Sequence, residues 1–438
     1  LIYAATLHAS ETGQQPAIDA AWFKAHYVKN EYMIPMRDGI RLYTAVYTPK
    51  NRRSHHPILL TRTPYGCGPY GRRNASFWQQ AIFEDYLRAD YIIVFQDVRG
   101  RWRSEGEFVN IRPYVADKSS GAIDESSDTY DTVEWLLRKL KCHNGRVGVF
   151  GNSYSGFYAL MAGASGHPAI RAVSPQAPIC DWFLGDDFHH NGALALSDAV
   201  GFLPNFGTAA RTKPTDRPEP FDTPVKGNPV EYLHDNTVAD ITRALGGSIP
   251  FWDEMAAHPD YDSWWQQRSA LNATHDIRPA ILMVGGLFDA EDLYGTWNIY
   301  RAIRQNNPQT DCRIVMGPWT HGAWRSNGDA NAVGHIRFSE ESLSQFYRHQ
   351  VEFPFFDHYL RDAEHSGATT TGALIFFSGE NCWREMEGWD PENQSRPHTL
   401  YLAEGGSLTT APSDISEAYS FYTSDPNDPV PYYPDMPW

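Results

Sequence analysis

The stretch from Arg146 to Gly156 constrains this chain more than any other. An apolar run, Val147 to Phe150, breaks into Gly151-Asn152-Ser153-Tyr154-Ser155-Gly156 and continues as a helix-forming segment, Phe157 to Ala164. A strand that enters a tight turn and leaves as a helix belongs to a parallel sheet. In that context Gly-x-Ser reads as a nucleophile elbow, whose strained turn lifts the serine hydroxyl clear of the sheet. Ser153 is the candidate nucleophile: Gly151 stands two residues before it and the small Ser155 two after, with the usual following glycine displaced to Gly156. Ser155 is the weaker rival, because it would put bulky Phe157 where strand and helix need a small residue. A lone Gly-x-Ser also fits a Gly/Ser-rich loop at the end of a buried strand, so the motif needs partners.

The flanking pattern supplies a sheet. Glu31 to Pro49 alternates around an Asp38-Gly39 turn, as a β-hairpin does. Pro57 to Thr63 and Tyr91 to Asp97 are compact apolar runs of the kind buried on both faces, with a helix-like stretch from Ala75 to Ala89 between them. Asp124 to Lys139 reads as an amphipathic helix leading into the elbow strand. Ala172 to Pro175, Ala280 to Gly286 and Arg313 to Gly317 continue the strands, and Glu340 to Leu360 reads as a closing helix. This alternation predicts an α/β fold, a mostly parallel sheet covered on both sides.

Five regions follow. Residues 1–30 read as an N-terminal arm, 31–175 and 271–365 as two parts of one core, 176–270 as an inserted helical cap, and 366–438 as a β region of period two. The cap is rich in Pro, Asp and Trp and is expected to sit over the carboxyl edge of the sheet, where ligands bind. Trp252, Trp264 and Trp265 within it suit a pocket wall or a cap core equally.

Composition limits the partners. The 438 residues carry a net charge of -16, which argues against nucleic acid and anionic membrane surfaces. No run of 18 apolar residues is present, so no helix is expected to span a bilayer. A small-molecule substrate is the expected partner. Five cysteines, Cys67, Cys142, Cys180, Cys312 and Cys382, lack metal-type spacing. His189-His190 lacks HExxH-type support and reads as paired loop histidines, so neither a metal nor a cofactor is implied. A chain starting at Leu1 suggests a processed start; a removed export signal would make the protein periplasmic or secreted, and a cytoplasmic location fits equally.

Two later strands end in reactive side chains. Asp289 follows Val284-Gly-Gly-Leu-Phe, and His321 follows Met316-Gly-Pro-Trp-Thr. Ser153, Asp289, His321 is the chain order of α/β-hydrolase triads, with serine as nucleophile, histidine as proton carrier and aspartate as the group that orients it.

Thr63-Pro-Tyr65-Gly, Asp97-Val-Arg-Gly-Arg-Trp-Arg-Ser104-Glu-Gly106, Gly151-Asn-Ser-Tyr-Ser-Gly156, Gly286-Leu-Phe-Asp289 and Gly317-Pro-Trp-Thr-His321-Gly together resemble the S15-type serine hydrolases. That group includes cocaine esterase, X-Pro dipeptidyl-peptidases and α-amino acid ester hydrolases, and the resemblance runs from about Glu31 onward. It implies an α/β-hydrolase core, a helical cap, a C-terminal jelly roll and homo-oligomer assembly through the N-terminal arm, with an arm folded on its own subunit as the equal alternative. It also implies an oxyanion hole made by the Tyr65 hydroxyl and the Tyr154 N–H. Asp97, Arg99 and Ser104 are expected to brace the loop beneath the site. Within the family the pattern is most similar to the α-amino acid ester hydrolases. Asp289-Ala-Glu291-Asp292 and Gly185-Asp186-Asp187 resemble the places where those enzymes carry carboxylates for the substrate's α-ammonium group. Asp187, Glu291 and Asp292 are the expected binding residues, Asp187 being preferred over Asp186.

The resemblance implies an acyl-enzyme formed from an α-amino acid ester and passed to water or to an amine, β-lactam nuclei included. An X-Pro dipeptidyl-peptidase, a general carboxylesterase, and an aromatic-rich carbohydrate-binding protein with a relic triad are the alternatives. The stretch beyond Thr370 is too short for the roughly eight strands of a jelly roll. Ser424 to Tyr432 resembles a mid-domain segment of the family, so the chain is expected to be a piece of a longer protein.

Overall fold

The structure, a computed structural model, describes residues 16–52, 54–71, 75–206, 214–215, 235–362, 372–390, 395–415, 419 and 421–425. Its centre is a sheet of ten strands among the described residues: β1 (Tyr27–Pro35), β2 (Arg41–Pro49), β3 (His56–Thr63), β4 (Ile92–Asp97), β5 (His143–Asn152), β6 (Ile170–Gln176), β7 (Ala280–Gly286), β8 (Cys312–Gly317), β9 (Ala373–Phe377) and β10 (Cys382–Met386). Their order is β1-β2-β4-β3-β5-β6-β7-β8-β9-β10. From β4 to β9 all neighbours are parallel, and antiparallel pairs close both edges.

Alternate residues of the central strands feed two cores. Ile58, Leu60, Val147, Val149, Ile281 and Met283 pack on one face with residues of α1 (Glu125–Lys139), α2 (Tyr154–Gly163) and α3 (Leu293–Asn306). Leu59, Phe150, Leu282 and Val315 pack on the other with Tyr86 and with Phe356 and Leu360 of α4 (Phe353–Arg361). Burial on both faces is why these strands read as unbroken apolar runs.

The hairpin, the buried strands and the helix capped by Asp124 stand where the pattern put them. Three segments differ. The expected arm gives way at Asp19, which caps a helix over Ala20–His26, and β1 already begins at Tyr27, so residues 27–30 belong to the sheet. The stretch from Ala75 to Ala89 is two 3-10 turns, Phe77–Gln79 and Ala81–Phe83, and a five-residue helix, Glu84–Arg88. The period-two strand Ala373–Phe377 extends the main sheet beside β8 and opens no new one.

Residues 176–270 carry short helices, among them Leu196–Phe202, Val238–Leu245, Pro250–Ala257 and Ser263–Arg268. Residues 390–438 form a second compact unit. Its described residues include one antiparallel ribbon, Tyr401–Ala403 with Ser407–Thr409; the jelly roll remains an expectation of the resemblance. Residues 1–15, most of 207–234, and the part of the Ser424–Tyr432 segment beyond Asp425 lie outside the described residues. No described helix is long and apolar enough to cross a membrane.

The joint between β5 and α2 tolerates no bulk. A Cβ on Gly151 would stand 2.1 Å from the Ser155 carbonyl oxygen, and one on Gly156 would stand 2.6 Å from the Gln176 carbonyl oxygen. At Gly163 the nearest atom would be Ile277 Cδ1 at an ordinary 3.6 Å. Gly151→Ala is therefore expected to cost on the order of 1–3 kcal/mol, the range for overpacking a tight site, while Gly163→Ala costs little. Thermal unfolding of the two variants checks this; equal midpoints would contradict it.

Candidate active site

Ser153 occupies the turn between β5 and α2 with φ 62° and ψ -126°, a left-handed conformation that is strained for a residue with a side chain. Two sets of bonds hold it. Its N–H donates to the Gln176 carbonyl at 2.9 Å, and its own carbonyl accepts from Gly156 N–H at 2.7 Å and Phe157 N–H at 3.1 Å. Ser155 is buried inside the helix, so the strained, turn-borne hydroxyl belongs to Ser153 alone. The Tyr154 N–H, first of α2, is among the four that no intrahelical carbonyl can meet. Its phenol is anchored away from the turn, donating to Asn110 Oδ1 at 2.9 Å and accepting from Ile111 N–H at 2.7 Å.

Asp289 follows β7 and His321 follows β8. His321 Nδ1 lies 2.9 Å and 3.1 Å from the two Asp289 oxygens. Asp289 Oδ1 also accepts the N–H groups of Glu291 at 2.9 Å and Asp292 at 3.0 Å, which folds the loop so that both acids face the same space. The other ring nitrogen, His321 Nε2, stands 3.5 Å from Glu291 Oε2. Ser153 Oγ stands 3.5 Å from Asp292 Oδ2. Among the described residues no hydrogen bond joins Ser153 to His321.

Tyr65 reaches the same space from the loop after β3. Pro64 carbonyl accepts from Arg101 Nε at 3.0 Å and Trp102 Nε1 at 2.9 Å, and the Trp102 ring fills the place where a Gly66 side chain would be. Asp97 accepts from Cys67 N–H at 2.7 Å, Tyr70 hydroxyl at 3.0 Å and Arg103 N–H at 3.2 Å, while Ser104 Oγ donates to the Asp97 carbonyl at 2.6 Å. Arg99 binds Asp38 and Asp128. All three thus brace the loop. Tyr65 keeps 44% of its surface exposed, its ring edge-on to Phe206 at 5.4 Å. The protein around its hydroxyl, and next the charges of Asp187, Asp292 and Glu291, raise the phenol above its ordinary range; a hydrogen bond with Ser153 opposes them.

The loop after β6 brings Asp187, held at φ 44° by its own N–H donating to the Glu291 carbonyl at 2.9 Å. Trp182 Nε1 donates to Asp187 Oδ2 at 2.6 Å. Asp186 points elsewhere: its carboxylate accepts the N–H groups of Cys180, Asp181 and Gly295 and ties this loop to α3. The neighbouring aspartates thus divide brace from site, and Asp187 is the one in the site.

Crowding and burial control the charges. Burial, then the negative charge of Glu291, pushes Asp187 up to about 7, against the Trp182 bond, the charge of His321 and a bond with Asp292. Asp292 is fully buried, its Oδ1 has no partner, and burial followed by repulsion from Asp187, Asp186, Asp289 and Glu291 lifts it well above the carboxylate range. Glu291 is raised too, chiefly by burial and against the pull of His321. Burial would lower His321, but the bond and charge of Asp289, then Glu291 and Asp187, carry it up to about 9.

The structure thus brings together Ser153, Asp289, His321, Tyr65, Asp187, Glu291 and Asp292, with Tyr154 present through its backbone. Gln176 and Trp182 are additions that no motif announces. Gln176 accepts from Ser153 N–H through its carbonyl and from Trp324 Nε1 at 2.9 Å through its side chain, joining the elbow to the histidine loop. The cap tryptophans pack within the cap: Trp252 donates to Thr242, Trp265 to the His258 carbonyl, and Trp264 stacks on His258. His189 Nδ1–H donates to the Trp182 carbonyl at 2.9 Å and the ring stacks on Phe183. All five cysteines are free thiols.

The family described as X-Pro dipeptidyl-peptidase (S15 family) matches residues 38–323. Cocaine esterase from Rhodococcus sp. (strain MB1 Bresler) is 30% identical over 427 residues, covering 92% of this chain and 68% of that protein. Among solved structures, an aminopeptidase from the marine sediment archaeon Thaumarchaeota archaeon aligns at 34% identity and a TM-score of 0.83, covering 97% of this chain and 69% of the other. An α-amino acid ester hydrolase aligns at 31% identity and a TM-score of 0.83, covering 98% and 70%.

The turn geometry yields a direct test. A fluorophosphonate probe is expected to label the protein, to fail on Ser153→Ala and to label Ser155→Ala. Loss of labelling in Ser155→Ala alone would move the nucleophile.

Proposed function

This chain belongs to the X-Pro dipeptidyl-peptidase (S15) family of hydrolases, and from that membership we propose that it is a serine hydrolase and acyltransferase for α-amino acid esters. The observation that supports this reading best is the convergence of Asp187, Glu291 and Asp292 beside Ser153, with no Lys or Arg paired to them among the described residues. Asp187 and Asp292 are buried carboxylates without a cation and call for one from outside, because an isolated buried charge is costly. A substrate α-ammonium group placed there gains charge-assisted hydrogen bonds, and its ester carbonyl, two bonds away, falls at the serine.

Ser153 Oγ attacks the carbonyl carbon while His321 Nε2 takes its proton. Asp289 holds the ring and stabilises the imidazolium. The Tyr65 hydroxyl and Tyr154 N–H donate to the oxyanion. As the intermediate collapses, the C–O bond to the alcohol breaks and His321 returns the proton to the departing oxygen. Water or an amine, a β-lactam nucleus included, then attacks the acyl-enzyme and gives its proton to His321; the bond from the acyl carbon to Ser153 Oγ breaks, His321 returns the proton to Oγ, and the acid or the new amide leaves. Ser153 Oγ stands 3.5 Å from Asp292 Oδ2, so the first step requires it to exchange that contact for one with His321 Nε2.

A second reading keeps the same site and changes the leaving group. The relative named an aminopeptidase is, at 34%, as similar in sequence as the ester hydrolase, and its name also denotes chemistry beside a free α-amine. An amide substrate would use the same ammonium site.

Three measurements follow. Tyr65→Phe should slow acylation by on the order of 100-fold, the loss of one oxyanion donor; an unchanged rate removes Tyr65 from the site. Asp187→Asn, Glu291→Gln or Asp292→Asn should lower kcat/KM for phenylglycine methyl ester by about 30-fold to several thousand-fold, the effect of losing one partner of a hydrogen-bonded ion pair. A panel of that ester, its deaminated analogue and an amino acid amide separates the readings. Equal turnover of aminated and deaminated esters would favour a general carboxylesterase.

A further inference from the structure

One group beside the carboxylates can itself carry a positive charge, and it is the histidine. His321 lies between Asp289, against Nδ1 at 2.9 Å, and Glu291, against Nε2 at 3.5 Å. The nitrogen that must accept the serine proton is therefore turned toward an acid, and Ser153 Oγ faces Asp292 instead. A ring hydrogen-bonded to one carboxylate through Nδ1, with a second at ion-pair distance from Nε2, is placed to favour double protonation. In that state Nε2 has no lone pair to take a proton from serine.

The surroundings hold the ring in this state. Facing it are Asp289 and Glu291 from the loop after β7 and Asp187 from the loop after β6. Asp198, on the cap helix Leu196–Phe202, acts on Glu291; Asp186, Asp289 and Glu291 act on the Asp187–Asp292 pair. None of Asp187, Asp289, Glu291 and Asp292 forms an ion pair with Lys or Arg among the described residues, while His321 pairs with two of them. The fully buried Asp292 Oδ1, without a partner, marks capacity for one more donor.

We propose that this cluster holds one cation at a time, the His321 imidazolium in the free protein and the substrate's α-ammonium group in the complex, so that the amine's arrival drives the proton off His321 and creates the catalytic base. The inference rests on the ammonium-binding reading above and adds a switch to it. An ammonium group between Glu291, Asp187 and Asp292 offsets the charges of Glu291 and Asp187, two of the three acids that favour the imidazolium, and adds a like charge close to the ring. Both changes disfavour protonated histidine. The Nε2–H proton passes to solvent, the lone pair stays on Nε2, and the ring becomes the acceptor that Ser153 requires. With His321 at about 9, only about one molecule in a hundred carries a neutral ring at pH 7, and each unit of lowering raises that fraction about tenfold. Esters with an α-amine would thus be favoured twice, in binding and in base formation.

Proton release measures the switch without turnover. Binding of 2-amino-2-phenylethanol, which has the amine but no ester, is followed by calorimetry at pH 7.5 in phosphate and in Tris, whose different ionisation heats report protons released. The expected result is release approaching one proton in the wild type and little in His321→Gln, with 2-phenylethanol releasing none. Release of equal size in His321→Gln would assign the proton to Asp187 or Asp292 and overturn the switch. An amine that binds tightly with no release overturns it too, while leaving ammonium binding intact. An amine that binds no better than 2-phenylethanol sinks the ammonium reading itself. Wild-type kinetics give a second readout that needs no variant. The rise of kcat with pH for phenylglycine methyl ester should lie at least one unit below the rise of kcat/KM for its deaminated analogue, and coincident profiles would refute the switch.

Discussion

Several carboxylates share a small space with one imidazole and no Lys or Arg among the described residues, and the local structure is organised to make that tolerable. Asp187 receives the Trp182 indole, Asp289 receives two backbone N–H groups and the His321 ring, and Asp292 shares hydrogen bonds with Asp187 and Ser153. Each bond offsets part of the desolvation of a buried acid. What is left over, an unpartnered Asp292 oxygen and the raised proton affinity of Asp187, Glu291 and Asp292, is the site's capacity to recognise a cation.

The sheet makes such crowding possible. Three successive parallel connections, after β5, β6 and β7, and the one after β8 all open at the same edge, so residues far apart in sequence meet there without any of them leaving its own loop. The packing that fixes them is backbone against backbone. Ser153 N–H on the Gln176 carbonyl joins the elbow to β6, and Asp187 N–H on the Glu291 carbonyl joins the cap-side loop to the acid loop. Asp186 pins the same cap-side loop to the N-terminal turn of α3 through Gly295. A displaced loop would therefore disturb two functional groups, not one.

Legibility in the sequence followed how local each cause was. The elbow was readable because strain, small neighbours and a strand-to-helix change all fall within Gly151 to Gly156. Asp289 and His321 were readable because each stands just past an apolar strand. Tyr65, Asp187, Glu291 and Asp292 needed the family resemblance, since alone each looks like a turn or cap residue. Gln176 and Trp182 were invisible: one acts through a carbonyl, the other through an indole that also belongs to the core. The assignment of Ala373–Phe377 to a separate β region failed for a similar reason. Ala373 to Phe376 are all buried, as in a strand covered on both faces, and only the pairing with β8 shows which sheet the strand joins.

Reciprocity sets a limit on the way amine and proton can share the cluster. If an ammonium group lowers the affinity of His321 for its proton, the proton must lower the affinity of the cluster for the ammonium group by the same factor. Amine affinity should then climb as pH rises toward about 9, where His321 loses its proton, and fall where the amine loses its own. Acid acts in the opposite sense, protonating Glu291 and Asp187 and discharging the site from the other side. A neutral ester experiences only the loss of the His321 proton. The difference between the two classes of ester is therefore a difference in the shape of the pH dependence as well as in its height, and it arises because one set of carboxylates serves both the base and the substrate.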